Sequence, residues 1–87
     1  MVRYTVACGQ LEARDLEDAP RALDEALAMV AAAGQAGADV CVLPEGTYPA
    51  YVLGSAEDAR AALAAGPDPL AVFGQAAKDA EIGRAHV

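Results

Sequence analysis

Residues Asp39-Val40-Cys41-Val42-Leu43-Pro44-Glu45 limit what this chain can fold into more than any other stretch. Four consecutive apolar residues, two of them β-branched, run into a proline and then a carboxylate. A short apolar run bounded by such a break reads as a buried strand that empties into a loop. The loop continues as Gly46-Thr47-Tyr48-Pro49-Ala50-Tyr51. In open parallel sheets, ligands bind just beyond the carboxyl ends of the strands, and Glu45 stands at such an end. Local sequence alone leaves two readings of Glu45 open: a solvated loop residue or a site carboxylate.

The segment upstream reads as the unit that positions this strand. Arg3 to Cys8 is the first predicted strand, since Tyr4, Thr5 and Val6 favour extended backbone. Val6-Ala7-Cys8 suggests burial on both faces. Gly9-Gln10 ends it, and the acidic run Leu11 to Asp18 reads as a solvated loop. A helix is expected from about Asp18, with Asp18 as cap, Pro20 in the first turn, and Asp24 and Glu25 near the amino end. Leu23, Ala26, Leu27 and Val30 follow the spacing of one buried helical face. Gly34 and Gly37 supply the stop signal. Strand, helix and strand in this order form a βαβ unit with parallel strands. The fold class is therefore α/β.

Downstream, Ser55 with Asp58 three residues on resembles a capping box and predicts a helix to about Ala65. Gly66-Pro67 ends it. Asp68 caps a last helix with Pro69 at its first position and Leu70, Phe73, Ala76 and Ala77 as its buried face.

Size and charge narrow the function classes. A chain of 87 residues allows one domain with a modest core. Thirteen acids against 6 bases give a net charge of −7 with no basic cluster. That balance argues against nucleic acid or an anionic membrane as partner. Cys8 and Cys41 lie in apolar runs and read as buried small hydrophobes of a reducing compartment. Their spacing fits no metal site, and the single histidine, His86, lies near the end. No signal-peptide layout or membrane-length run is present, so a cytoplasmic protein is expected.

Gln10 at the end of the first strand, the Gly37-Ala38-Asp39 turn, the Leu43-Pro44-Glu45 motif and Tyr51 six residues after the glutamate carry a family resemblance. Together they resemble the amino-terminal part of the nitrilase superfamily of carbon–nitrogen hydrolases. The family's Gly-Tyr pair is Ala50-Tyr51 here. The resemblance covers about Val2 to Ala80. It implies the βαβ start of a four-layer α-β-β-α sandwich, truncated, with residues 1–80 as the amino-terminal part of one hydrolase domain.

It further implies a small-molecule nitrile or amide substrate, no cofactor and no metal. For the full-length protein it implies a homo-oligomer. The implied chemistry is a Glu-Lys-Cys triad in which Glu45 is the general base and Tyr51 shapes the substrate pocket. A thiol needs a positioned base to become a nucleophile, and a partly desolvated carboxylate can serve. The lysine and cysteine motifs of the family lie downstream of these residues. Lys78 is in the last helix and Cys41 inside the strand, so neither matches its motif, and the chain alone is expected to be inactive. Tyr51 reads as a pocket wall or a packing residue, Tyr48 as packing.

Residues 81–87, Glu81-Ile82-Gly83-Arg84-Ala85-His86-Val87, match the peptide encoded in one frame by the opening bases of a common sequencing adaptor. They are expected to be non-native, and Glu81, Arg84 and His86 are given no functional weight. The alternative class is a small non-catalytic α/β binding or receiver-like module. A receiver-like domain needs acids after its first strand, where Cys8-Gly9-Gln10 offers none.

Overall fold

The computed structural model describes residues 3–82. Its elements are β1 (Val6–Cys8), a 3₁₀ turn (Leu16–Asp18), α1 (Ala19–Gln35), β2 (Val40–Val42), α2 (Ala56–Ala65) and α3 (Pro69–Asp79). β1 and β2 are parallel, in the register Val6 to Val40, Ala7 to Cys41 and Cys8 to Val42. The described residues thus form a small mixed α/β unit with two parallel strands and three helices.

The short ladder is extended at both ends by bonds the sequence supplies. Gly9 N donates to the Val42 carbonyl at 2.8 Å. At the other end Asp39 is the register pin: its amide donates to the Thr5 carbonyl and its Oδ2 accepts from Thr5 N, both at 2.8 Å. An aspartate entering the second strand therefore pairs the exposed amino end of the first strand, which water would otherwise hydrate.

α1 presents Ala22, Leu23, Ala26, Val30 and Ala33 as its buried stripe, with Leu27 half-buried at the margin. The small side chains let α1 and α3 approach closely. At Gly34 an added methyl would meet the Ala80 Cβ and carbonyl oxygen. The core runs through Val30, Ala33, Ala38 and Ile82, with Ala7, Cys41, Leu43, Phe73, Ala76 and Ala77 packed around them.

α1 and α3 end in the same way. Gly37, at φ 80°, and Glu81, at φ 60°, take the left-handed conformation. Ala38 N then donates to the Ala33 carbonyl, and Ile82 N to the Ala77 carbonyl. These are Schellman ends, in which the residue after the left-handed one returns an apolar side chain to the helix. Ala38 and Ile82 are both buried, so the two helix ends close the same core. Gly83 to Val87, most of the expected non-native tail, lie outside the described residues.

The two predicted downstream caps form. Ser55 Oγ accepts from Asp58 N at 3.1 Å, and Asp68 Oδ1 accepts from Leu70 N at 3.1 Å. Each such cap contributes about 1 kcal/mol to its helix.

Several expectations are corrected. β1 is not buried on both faces: Val6 is 55% exposed, Cys8 is exposed, and Val42 beside it is 51% exposed. Ala7 and Cys41 face the helices, and nothing among the described residues covers the opposite face. Cys8 is consequently not a buried hydrophobe. Leu70 is 85% exposed, because α3 docks through Phe73, Ala76 and Ala77 while its first turn overhangs. Asp18 holds the cap position of α1 without a side-chain bond, since a 3₁₀ turn already leads into the helix.

Candidate functional site

β1 and β2 leave the sheet side by side, and the segments after them enclose a cavity of about 240 Å³. Leu11 to Arg14 forms one wall, Pro44 to Thr47 with Tyr51 the other, and Ala22 and Glu25 of α1 the base. Glu45 and Tyr51, singled out from the sequence, line the same cavity.

The path from β2 to Glu45 is longer than expected. The ladder ends at Val42, Leu43 turns onto the core, and Glu45 sits in a turn, exposed to solvent. Burial therefore does not desolvate this carboxylate among the described residues. The turn is fixed internally. Thr47 Oγ1 donates to the Pro44 carbonyl, and Gly46 adopts φ 69°. Glycine suits that conformation, and a methyl group there would stand 3.0 Å from the Tyr51 Cα and Cδ2. The Glu45 turn and Tyr51 thus lean on one another. The Tyr48–Pro49 peptide between them is cis.

The opposite wall is held by Arg14. Its Nε donates to Glu25 Oε1 at 2.8 Å, and its Nη2 to Glu25 Oε2 at 2.9 Å and to Glu12 Oε2 at 3.2 Å. The planar fork matches both oxygens of Glu25. The Arg14 hydrogen bond, aided by the charges of Arg14 and Arg21, holds the Glu25 carboxyl below the usual glutamate range. The same bond raises the Arg14 guanidinium, with the charges of Glu12, Glu25 and Asp18 adding to it. The Arg14 carbonyl accepts from both Tyr51 N, at 3.0 Å, and Val52 N, at 3.1 Å. Asp15 and Val52 extend this as a parallel bridge. Arg14 therefore ties α1 by its side chain and the Tyr51 loop by its backbone.

This tie is absent from the sequence reading, which took Leu11 to Asp18 as a solvated acidic loop. The available signal was Arg14 itself, the lone base within a run that contains Glu12, Asp15, Glu17 and Asp18. Glu25, read as a partner of the helix dipole, faces Arg14 instead.

The other candidates lie elsewhere. Cys41 is packed against the core rather than lining the cavity, and burial, with a smaller contribution from Cys8, pushes its thiol up. A thiol raised in this way is a poor nucleophile. Lys78 is exposed in the last turn of α3, which contributes nothing to the cavity wall. Tyr48 is half-buried with its hydroxyl over Gly66, which makes it a packing residue at the end of α2. Among the described residues no cluster of metal-ligating side chains occurs, and no helix is long and apolar enough to cross a membrane.

Comparison with protein-family models, with curated proteins and with solved structures gave no significant match.

Proposed function

We propose that this chain is the amino-terminal part of a hydrolase of non-peptide carbon–nitrogen bonds, of the nitrilase-like four-layer sandwich, acting on a small nitrile or amide. The observation that carries the reading is the cavity shared by Glu45 and Tyr51 beyond the carboxyl ends of a parallel strand pair. In this reading Glu45 is the general base and Tyr51 a wall of the pocket. The thiol nucleophile and the lysine come from segments that follow these residues.

The Glu45 carboxylate takes the thiol proton, and the thiolate adds to the amide carbon. The lysine ammonium stabilises the resulting oxyanion. The protonated Glu45 returns the proton to the departing nitrogen, ammonia leaves, and a thioester remains. Glu45 then deprotonates a water that attacks the thioester, releasing the acid and regenerating the thiol. In this reading the nucleophile-bearing segment packs over the exposed Glu45. The uncovered sheet face with Val6, Cys8 and Val42 fits the place where a second sheet of the sandwich packs.

The test begins with the complete reading frame in genomic DNA, which should continue in frame to a lysine and a cysteine motif. Its product should hydrolyse short amides or nitriles, and Glu45→Gln should lower kcat by at least roughly a hundredfold. A frame that closes without those motifs, or an unaffected Glu45→Gln enzyme, overturns the proposal in favour of a non-catalytic α/β binding module.

A further inference from the structure

We infer that Arg14 is a substrate-binding residue of the Glu45 cavity, its Nη1 group donating to a neutral oxygen acceptor that the substrate carries away from the reacting carbon. The inference rests on the hydrolase reading and specifies the substrate class of that same site.

A guanidinium offers five N–H donors in a rigid fork. In Arg14 the Nε donor and both Nη2 donors are engaged by Glu25 and Glu12. The two donors on Nη1 have no protein acceptor among the described residues. The side chain is only 10% exposed, and it lines the cavity together with Glu45. No described side-chain nitrogen or oxygen is both fully buried and without a partner, so Nη1 keeps an opening to solvent. A ligand in the cavity that displaces water from Nη1 must replace its hydrogen bonds or lose affinity.

The bidentate clasp of Glu25 fixes the fork, so the direction of Nη1 is set before a ligand arrives. Preorganised donors of this kind discriminate strongly in favour of substrates that carry the matching acceptor. Charge decides which acceptor. Glu12, Glu25 and Glu45 together outweigh Arg14 and Arg21, the latter 4.0 Å from Glu25, by one negative charge. A carboxylate on the substrate would meet net negative charge. An ether, hydroxyl or carbonyl oxygen would take the same hydrogen bond without that repulsion.

Three amides of similar length test this on the product of the complete reading frame: methoxypropanamide, its hydrocarbon counterpart pentanamide, and the carboxylate-bearing succinamate. The wild-type enzyme should show its lowest KM for methoxypropanamide. Arg14→Ala should erase the ratio between the ether and hydrocarbon KM values, a change of roughly tenfold to a hundredfold. Arg14→Lys, which keeps one donor without the fork, should restore part of it. A purely structural role would raise both KM values together, and an unchanged ratio in both variants overturns the inference while leaving the hydrolase reading intact. A preference for succinamate overturns the charge argument and the inference with it. Failure of the wild type to hydrolyse any of the three amides, or hydrolysis that survives Glu45→Gln, overturns the reading beneath it.

Discussion

The close contact between α1 and α3 makes one glycine indispensable and another dispensable, and the same substitution should separate them by sign. At Gly34 a methyl group would lie 2.6 Å from the Ala80 Cβ, 2.6 Å from its carbonyl oxygen and 3.1 Å from its Cα. Ordinary carbon contacts are about 3.5–4.0 Å, so the two backbones would have to part by roughly an ångström. Backbone atoms cannot rotate away as a flexible side chain could, and such overpacking costs about 1–3 kcal/mol. Alanine returns up to about 1 kcal/mol through helix propensity, which leaves a net loss of up to about 2 kcal/mol for Gly34→Ala. Gly74, inside α3, has nothing within 4 Å of the same methyl position. Only the propensity gain applies there, so Gly74→Ala should stabilise by about 0.5–1 kcal/mol. Urea unfolding followed by helical circular dichroism at low protein concentration measures both. A domain of this size shifts its Tm by about 4–8 °C per kcal/mol, so thermal melts should also order the proteins as Gly74→Ala, wild type, Gly34→Ala. Equal or greater stability in Gly34→Ala would refute the close crossing of α1 and α3 and the shared closure of their ends.

Three other predictions address the cap, the clamp and the open sheet. Ser55→Ala should remove about 1 kcal/mol from α2, seen as faster amide exchange at Asp58 and through α2 with α1 protection unchanged, because α2 contributes no buried residue to the core. Equal acceleration in both helices would contradict that separation. Because Arg14 holds the Glu25 carboxyl below its unfolded range, the stability this clamp provides is complete above about pH 4.3 and is lost as pH falls through the depressed native value. Wild-type and Glu25→Gln stabilities should therefore converge on acidification, and parallel curves would refute it. Among the described residues the face at Val6 and Val42 is uncovered and each strand has an unpaired edge, which should make the 87-residue chain self-associate, and Val42→Lys should suppress this in sedimentation across a dilution series. A monomer with a sharp cooperative melt at every concentration would contradict it.

The parts of the fold that depend on neighbours in sequence were legible. The buried stripe of α1, the caps at Ser55 and Asp68, and the stop at Gly37 are each set by residues within a turn or two. The parallel pairing followed from the length and helical period of the segment between the strands. What failed was sidedness. Val6-Ala7-Cys8 has no polar alternation, so its composition cannot say that helices cover one face only. Leu70 has the right helical spacing, yet α3 meets the core from Phe73 onward. That Glu45 and Tyr51 line one cavity was legible because only six residues separate them. The pairing of Arg14 with Glu25 was not, since it spans eleven residues and depends on how the loop folds back across α1.

The double acceptance at the Arg14 carbonyl has a mutational consequence. The bonds to Tyr51 and Val52 use the main chain alone, so any residue at position 14 other than one that distorts the backbone can hold the loop in place. Changing the side chain at that position releases the tie to Glu25 and α1 but leaves the two backbone bonds behind Tyr51 in place. The peptide group places the loop, and the side chain attached to it fastens the same residue to α1.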